Sequence, residues 1–175
     1  MINNVIALEG QLETVQQAKD FLVGLSAENY QVVLKPHFAS SAGAHMRHVL
    51  DHYLALKDGL GQGLINYNER NRYSKIESCP QAALLGWVTI EQWLKEVSQL
   101  DAVMPLTVVC ENSVNETQNT HSKSTLAREL VFVSSHAVHH FSLLAVINSL
   151  LGNKDEVNLG IAPCTATFIR QQAYF

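Results

Sequence analysis

Apolar residues recur at helical spacing over four long stretches of the chain, separated by polar, proline- or glycine-bearing segments. The last stretch is the most regular. Leu126, Leu130, Val133, Ala137, His140, Leu144, Ile147 and Leu151 follow one another at alternating intervals of three and four and predict one helix over 126–151. Val5, Leu8, Leu12, Val15, Ala18, Leu22 and Leu25 predict a first helix over 5–27, with Glu9, Glu13, Gln16 and Lys19 facing water. A second helix is expected over 42–65 behind the capping pair Ser40–Ser41. Its face comprises Met46, Val49, Tyr53, Leu56, Leu60 and Leu64. The third follows Ser78-Cys79-Pro80, with Ala83, Leu84, Trp87, Ile90, Leu94, Val97 and Leu100 inward.

The connections carry their own signals. Tyr30 to Pro36 reads as irregular chain, because proline breaks a helix and restricts the residue before it. Gly59, Gly61 and Gly63 weaken the end of the second helix. They form no phosphate loop, having neither a preceding strand nor a following Gly-Lys-Ser/Thr. Asn66 to Tyr73 is a polar connection. Read as surface it needs no function; read as a lid it would offer Tyr67, Arg70 or Arg72 to an anion. Pro105 to Glu111 changes to strand chemistry, Asn112 to Glu116 favours a turn, and Thr117 to His121 returns, so a small hairpin is expected before the last long helix. His121 falls at a loop or cap position, and Ser122 or Ser124 begins that helix. A short terminal helix is expected from about Pro163, docked on the bundle by its apolar residues. Together these elements predict an all-α protein, a four-helix bundle with a hairpin in its last connection.

Composition narrows the class. The chain has 175 residues, 47% of them hydrophobic, enough for one core and one domain over 1–175. A formal charge of -4, without a basic run, argues against a nucleic-acid partner. Trp87 and Trp93 lie on different faces with no interleaved cations, so packing is expected of them, Trp87 above all. Cys79, Cys110 and Cys164 are odd in number and far apart. That pattern suits free thiols in a reducing compartment. No basic segment leads into an apolar run at the N-terminus, and Leu143 to Leu151 is too short and interrupted to span a bilayer. A cytoplasmic protein without a membrane partner is therefore expected.

The candidate chemistry lies in the histidines. His140 stands within the apolar stripe of the last helix, and His136 lies one turn earlier, about 40° around the axis. Imidazoles at i and i+4 on an inward face can share one metal ion, though a core or interface histidine satisfied by hydrogen bonds is the plainer reading. A third ligand must come from another helix. The second helix supplies His45, His48 and His52, spread over two turns along one flank. Periodicity places His45 and His52 nearer the centre of the apolar face and His48 nearer its edge, and does not choose among them.

Ser41-Ala-Gly-Ala-His-Met-Arg-His-Val-Leu-Asp-His-Tyr53, followed by Ser135-His-Ala-Val-His-His140, resembles the DinB-like superfamily of damage-inducible and thiol-transferase-related bundles. Ala127-Arg-Glu-Leu-Val-Phe132 and Gly160-Ile-Ala-Pro-Cys-Thr165 extend the likeness over nearly the whole chain. The resemblance implies a DinB-like four-helix bundle and a metal site of His48, His136 and His140. His52 becomes an alternative or supporting residue, His45 a pocket residue, and His139 a bystander. Nickel, zinc or iron is the implied ion. Relatives of this kind include enzymes that join low-molecular-weight thiols to electrophiles, the metal-binding domain of an ergothioneine-forming oxygenase, and hydrolase-like and isomerase-like proteins. The resemblance thus implies a thiol and a small electrophile as reacting partners, and a homodimer. A metal-dependent hydrolase, or a bundle that binds metal or a small ligand without catalysis, fits the same ligand set. Asp51, His52, Tyr53 and Tyr67 are candidate pocket groups, Asp51 alternatively as a partner orienting a histidine.

Overall fold

A computed structural model describes residues 6, 8–153 and 158–172. Helices dominate: α1 (Glu9–Gly24), α2 (Ala27–Gln31), α3 (Ala42–Gly59), α4 (Lys75–Ser78), α5 (Pro80–Val97), α6 (Leu126–Leu150) and α7 (Pro163–Gln172). Three strands, β1 (Leu64–Asn66), β2 (Pro105–Glu111) and β3 (Asn119–Thr125), form one small sheet in the order β1-β2-β3. The four long helices make the bundle. Helix α1 packs on α5 and α6, and α3 packs on α5 and α6, so α3 and α6 share one seam.

The buried stripes follow the apolar periodicity. Val15, Ala18, Phe21 and Leu22 come from α1, and Met46, Val49, Leu50, Tyr53 and Leu56 from α3. Trp87, Ile90 and Leu94 come from α5, and Leu126, Leu130, Val133, Ala137, Phe141, Leu144 and Ile147 from α6. Tyr53 and Phe141 both meet the ring of Trp87, at centroid distances of 5.3 and 6.2 Å. Trp93 is buried as well, so both tryptophans serve packing.

Four boundaries differ from expectation. The beginning of the first helix at Val5 lies outside the described residues. That helix ends at Gly24, and Tyr30, expected in an irregular connection, is instead fully buried in α2 with its hydroxyl donating to the Ile76 carbonyl at 2.7 Å. The second helix stops at Gly59, and its expected last turn becomes a 3-10 turn (Leu60–Gln62) and then β1. The cause is a close approach: a Cβ on Gly59 would lie 2.2 Å from the Leu64 carbonyl oxygen. Gly63, at φ +68°, makes the left-handed turn into the strand that a side chain would resist. Leu64 is therefore exposed on a strand, and Leu100, past the end of α5, is also exposed.

The hairpin forms as expected and is larger. Strands β2 and β3 pair antiparallel from Pro105↔Thr125 to Glu111↔Asn119, and β1 adds in parallel beside β2. His121 is an exposed strand residue opposite Val109, not a cap. Thr125, rather than Ser122 or Ser124, caps α6, accepting from the Arg128 amide.

Helix α6 is long and apolar enough to cross a membrane by length and composition alone, longer than the Leu143–Leu151 run suggested. Here it packs in the bundle, with 39% of its most apolar window buried. Helix α7 begins at Pro163 but buries no residue. Phe168 and Ile169 are 60% and 52% exposed, so the terminal segment docks not through this helix but through the residues before it: Leu159 is buried, and Gly160 donates its amide to Gln17 Oε1 and accepts from Ser142 Oγ.

Candidate metal centre

The seam between α3 and α6 brings the histidines together. Ser41 begins α3 by accepting the Ala44 amide, and the helical rise then stacks His45, His48 and His52 toward α6. Thr125 begins α6 and sets His136 and His140 one turn apart on the facing side. His48, His136 and His140 each offer a ring nitrogen to a set that lies within 4.8 Å of one another. The closest pair is His48 Nε2 and His136 Nε2, 3.1 Å apart. His48 and His140, and His136 and His140, stand with ring centroids 4.7 Å apart.

Two imidazole nitrogens this close either share a proton or share an ion. Four ligands at about 2.0–2.1 Å around a tetrahedral ion sit roughly 3.3 Å apart. The observed pair is near that spacing. The protonation state also suits ligation, which needs neutral imidazole. Burial, followed by the neighbouring imidazoles and Arg70, holds His48 down to about 2. Burial, with His136 and His45 next, holds His140 to about 3. Burial, followed by His139 and Arg70, holds His136 to about 4. The donor set therefore fits a divalent ion: three half-buried imidazoles, held toward the neutral form, from two facing helices.

His52 does a different job. Its Nδ1–H donates to the His48 carbonyl at 2.9 Å, which a carbonyl acceptor requires, and its buried ring lies 4.2 Å from that of His136, centroid to centroid. Tyr67 stacks on the other side at 5.3 Å and 21°. His139 is exposed and touches the cluster only at its edge, 5.1 Å from His140. His45 reaches His140, Nδ1 to Nδ1 at 3.0 Å, without joining the mutually close set.

Two expected pocket groups, Tyr53 and Asp51, serve elsewhere, and Tyr67 is tied down beside His52. Tyr53 is core, its hydroxyl 3.4 Å from Gln11 Oε1. Asp51 orients no histidine. It pairs with Arg47 Nη1 at 2.8 Å and accepts from the backbone and side-chain nitrogens of Asn71. Tyr67 is buried and donates to Glu129 Oε2 at 2.7 Å, while Ser124 donates to Oε1. The 66–73 connection is thus anchored from beneath, by Tyr67 and Asn71, and Arg70 turns its Nη1 back to the Tyr67 carbonyl.

Three neighbours were not singled out by the pattern of residues. Phe132 lies parallel to His136 at 6.0 Å and 23°, and its i,i+4 spacing was readable. Glu129 gave no such signal, because a helical glutamate is an ordinary surface residue, and Ser40, expected only as a cap, instead meets His45 while Ser41 does the capping. A cleft of about 320 Å³ opens between Tyr67, Val108, Cys110, Lys123, Arg128 and Phe132, behind the two aromatic rings that touch the histidines.

No family model matches the chain, and no solved structure matches it. A protein named FK506-binding protein 5, from Rhizopus delemar, is 28% identical over 109 residues. The matched segment is 62% of this chain and only 28% of the fungal protein.

Proposed function

We propose that the chain is a divalent-metal-dependent enzyme of the DinB-like superfamily that transfers a low-molecular-weight thiol to a small electrophile, with His48, His136 and His140 as the ligands. One observation carries the reading. Three imidazoles from two helices converge within 4.8 Å, with no carboxylate or thiol in the set. The four-helix arrangement is consistent with the bundle that the resemblance implies.

A divalent ion in this ligand set would supply Lewis acidity at its open positions, lowering the pKa of a bound thiol or water. The chain's residues do the rest. The histidines hold their lone pairs free at neutral pH because burial disfavours their protonated forms. His52, Tyr67 and Phe132 wall the site with rings that exclude water from one side. Free Cys79, Cys110 and Cys164 support a reducing, cytoplasmic setting. A homodimer accompanies the proposal as its expected association state.

Elemental analysis of protein purified without a metal-affinity tag tests the centre. Near-stoichiometric nickel, zinc or iron is expected in the parent and is lost in a His48→Ala, His136→Ala, His140→Ala variant. Turnover of a thiol–electrophile panel by the loaded parent tests the chemistry. Ester or amide cleavage instead would make the protein a hydrolase, and bound metal with neither reaction would leave a binding bundle. A parent that takes up none of the three ions would refute the centre.

A further inference from the structure

The geometry assigns His45 a positioning role: its Nδ1 accepts the Nδ1–H of His140, leaving the Nε2 lone pair of His140 as that ring's ligating atom. The inference rests on the metal reading above and concerns residues outside the ligand set.

Four contacts build it. His45 Nδ1 and His140 Nδ1 are 3.0 Å apart. The other nitrogen of His45, Nε2, is 3.0 Å from Ser40 Oγ. Ser41, next in the chain, accepts the Ala44 amide and starts α3, so the backbone that carries His45 is fixed by the adjacent cap. The ring of Phe38 meets His45 edge-on at 6.3 Å and 86°. Neighbouring serines thus divide the work: one caps the helix, the other holds the imidazole.

Between neutral rings, one Nδ1 must donate and the other accept. If His45 donates, His140 carries its proton on Nε2, its only other ring nitrogen, and can ligate through neither while that contact stands. If His140 donates, that Nε2 is free, and His45 carries its own proton on Nε2, where the Ser40 hydroxyl oxygen accepts it. Ser40 serves both arrangements, its hydroxyl donating to His45 Nε2 in the first and accepting from it in the second; only the second frees the ligand. Ligation by His140 through Nδ1 would instead break the His45 contact. The absence of His45 from the mutually close set argues against its being a fourth ligand to the same ion.

The test measures zinc and cobalt(II) affinity by competition with a chromophoric chelator, in the parent and in His45→Ala, His45→Asn and Ser40→Ala. Removing the acceptor should weaken binding about 10- to 100-fold, the usual effect of losing a ligand's hydrogen-bond partner. Asparagine places Oδ1 near the position of the imidazole Nδ1 and should recover affinity to within about threefold of the parent, with an unchanged cobalt spectrum. Ser40→Ala, which keeps every imidazole, should weaken binding by about threefold, a smaller loss than that from removing the direct partner. Long-range nitrogen–proton NMR of the zinc protein should find His140 protonated at Nδ1.

Affinity of His45→Ala within twofold of the parent would overturn the inference. So would failure of asparagine to restore binding, a changed cobalt spectrum in that variant, or a His140 proton on Nε2. Should His45→Ala not fold, unchanged affinity in Ser40→Ala would count against it equally. A parent that binds neither ion would refute the metal centre itself, a result distinct from all of these.

Discussion

His48 and His136 face each other across the α3–α6 seam, Nε2 to Nε2 at 3.1 Å, although 88 residues separate them in the chain. Neither helix holds the centre alone. The site exists only where the bundle is closed, and whatever binds there must favour the folded state.

Metal should therefore stabilise the protein by mass action. Zinc or nickel at 100 times its dissociation constant is expected to add about 2.7 kcal/mol. Thermal melts with and without EDTA check this. The His48→Ala, His136→Ala, His140→Ala variant should melt at the same temperature in both; a metal-dependent shift retained by the variant would place binding elsewhere.

Acid should destabilise the metal-free protein. His136 and His52 sit at about 4, His140 at about 3 and His48 at about 2, all below the ordinary value of about 6.5. As pH falls, the unfolded chain takes up these protons first, so their contribution is complete above 6.5 and is lost progressively below it. Melting temperature in EDTA should drop between pH 6.5 and 5, a window above most carboxylate titration. The triple-alanine variant should show a shallower slope there; equal slopes would remove the histidines as the cause.

The α3 helix also depends on an ion pair that faces away from this chemistry. Arg47 bridges Asp51 at 2.8 Å and Glu77 at 3.1 Å, and the Asp51 side chain is 1% exposed. Arg47→Met should cost about 3 kcal/mol in urea denaturation, because it strands a buried carboxylate with only Asn71 to bond it. Adding Asp51→Leu should recover most of that loss. No recovery would mean that the arginine acts through its packing.

Two glycines, one on α3 and one on α1, should respond oppositely to alanine. Gly43 packs so closely that a Cβ would meet the Glu77 carbonyl oxygen at 2.0 Å and the Tyr30 ring at 2.8 Å. Gly43→Ala should destabilise by about 1–3 kcal/mol or force α4 away. Gly10, in the first turn of α1, has nothing within 4 Å. Gly10→Ala should stabilise by roughly 0.5 kcal/mol through helix propensity. Denaturant midpoints of the two variants decide both.

Much of this fold was legible because helical period and burial coincide. His140 was readable as a polar residue inside the α6 stripe, between buried Ala137 and Leu144. Which histidine of α3 completes the set was not readable from periodicity. All three line one flank, and the rotation that turns His48 to His136 is set by packing between helices. β1 was hidden for a related reason. Leu60 and Leu64 continue the helical spacing of α3, and the helix ends where Gly59 lets the Leu64 carbonyl approach and Gly63 takes the left-handed turn. Likewise Ser122, Ser124 and Thr125 all suit a cap, but pairing of Thr125 with Pro105 carries β3 to that residue. The structural role of Asp51, and the Glu129 that anchors Tyr67 beside His52, were not legible because their partners are brought together only by the folded neighbourhood.

The hairpin closes at Glu111↔Asn119, at the end opposite the strand residues that lead into α6, and its turn projects Val114 at 99% exposure. A cut or a graft in that turn leaves both paired strands and every imidazole in place. A reporter domain spliced between Val114 and Asn115 would make the protein visible in living cells while its ligands stay untouched. A protease site there would release no fragment until the sheet itself came apart.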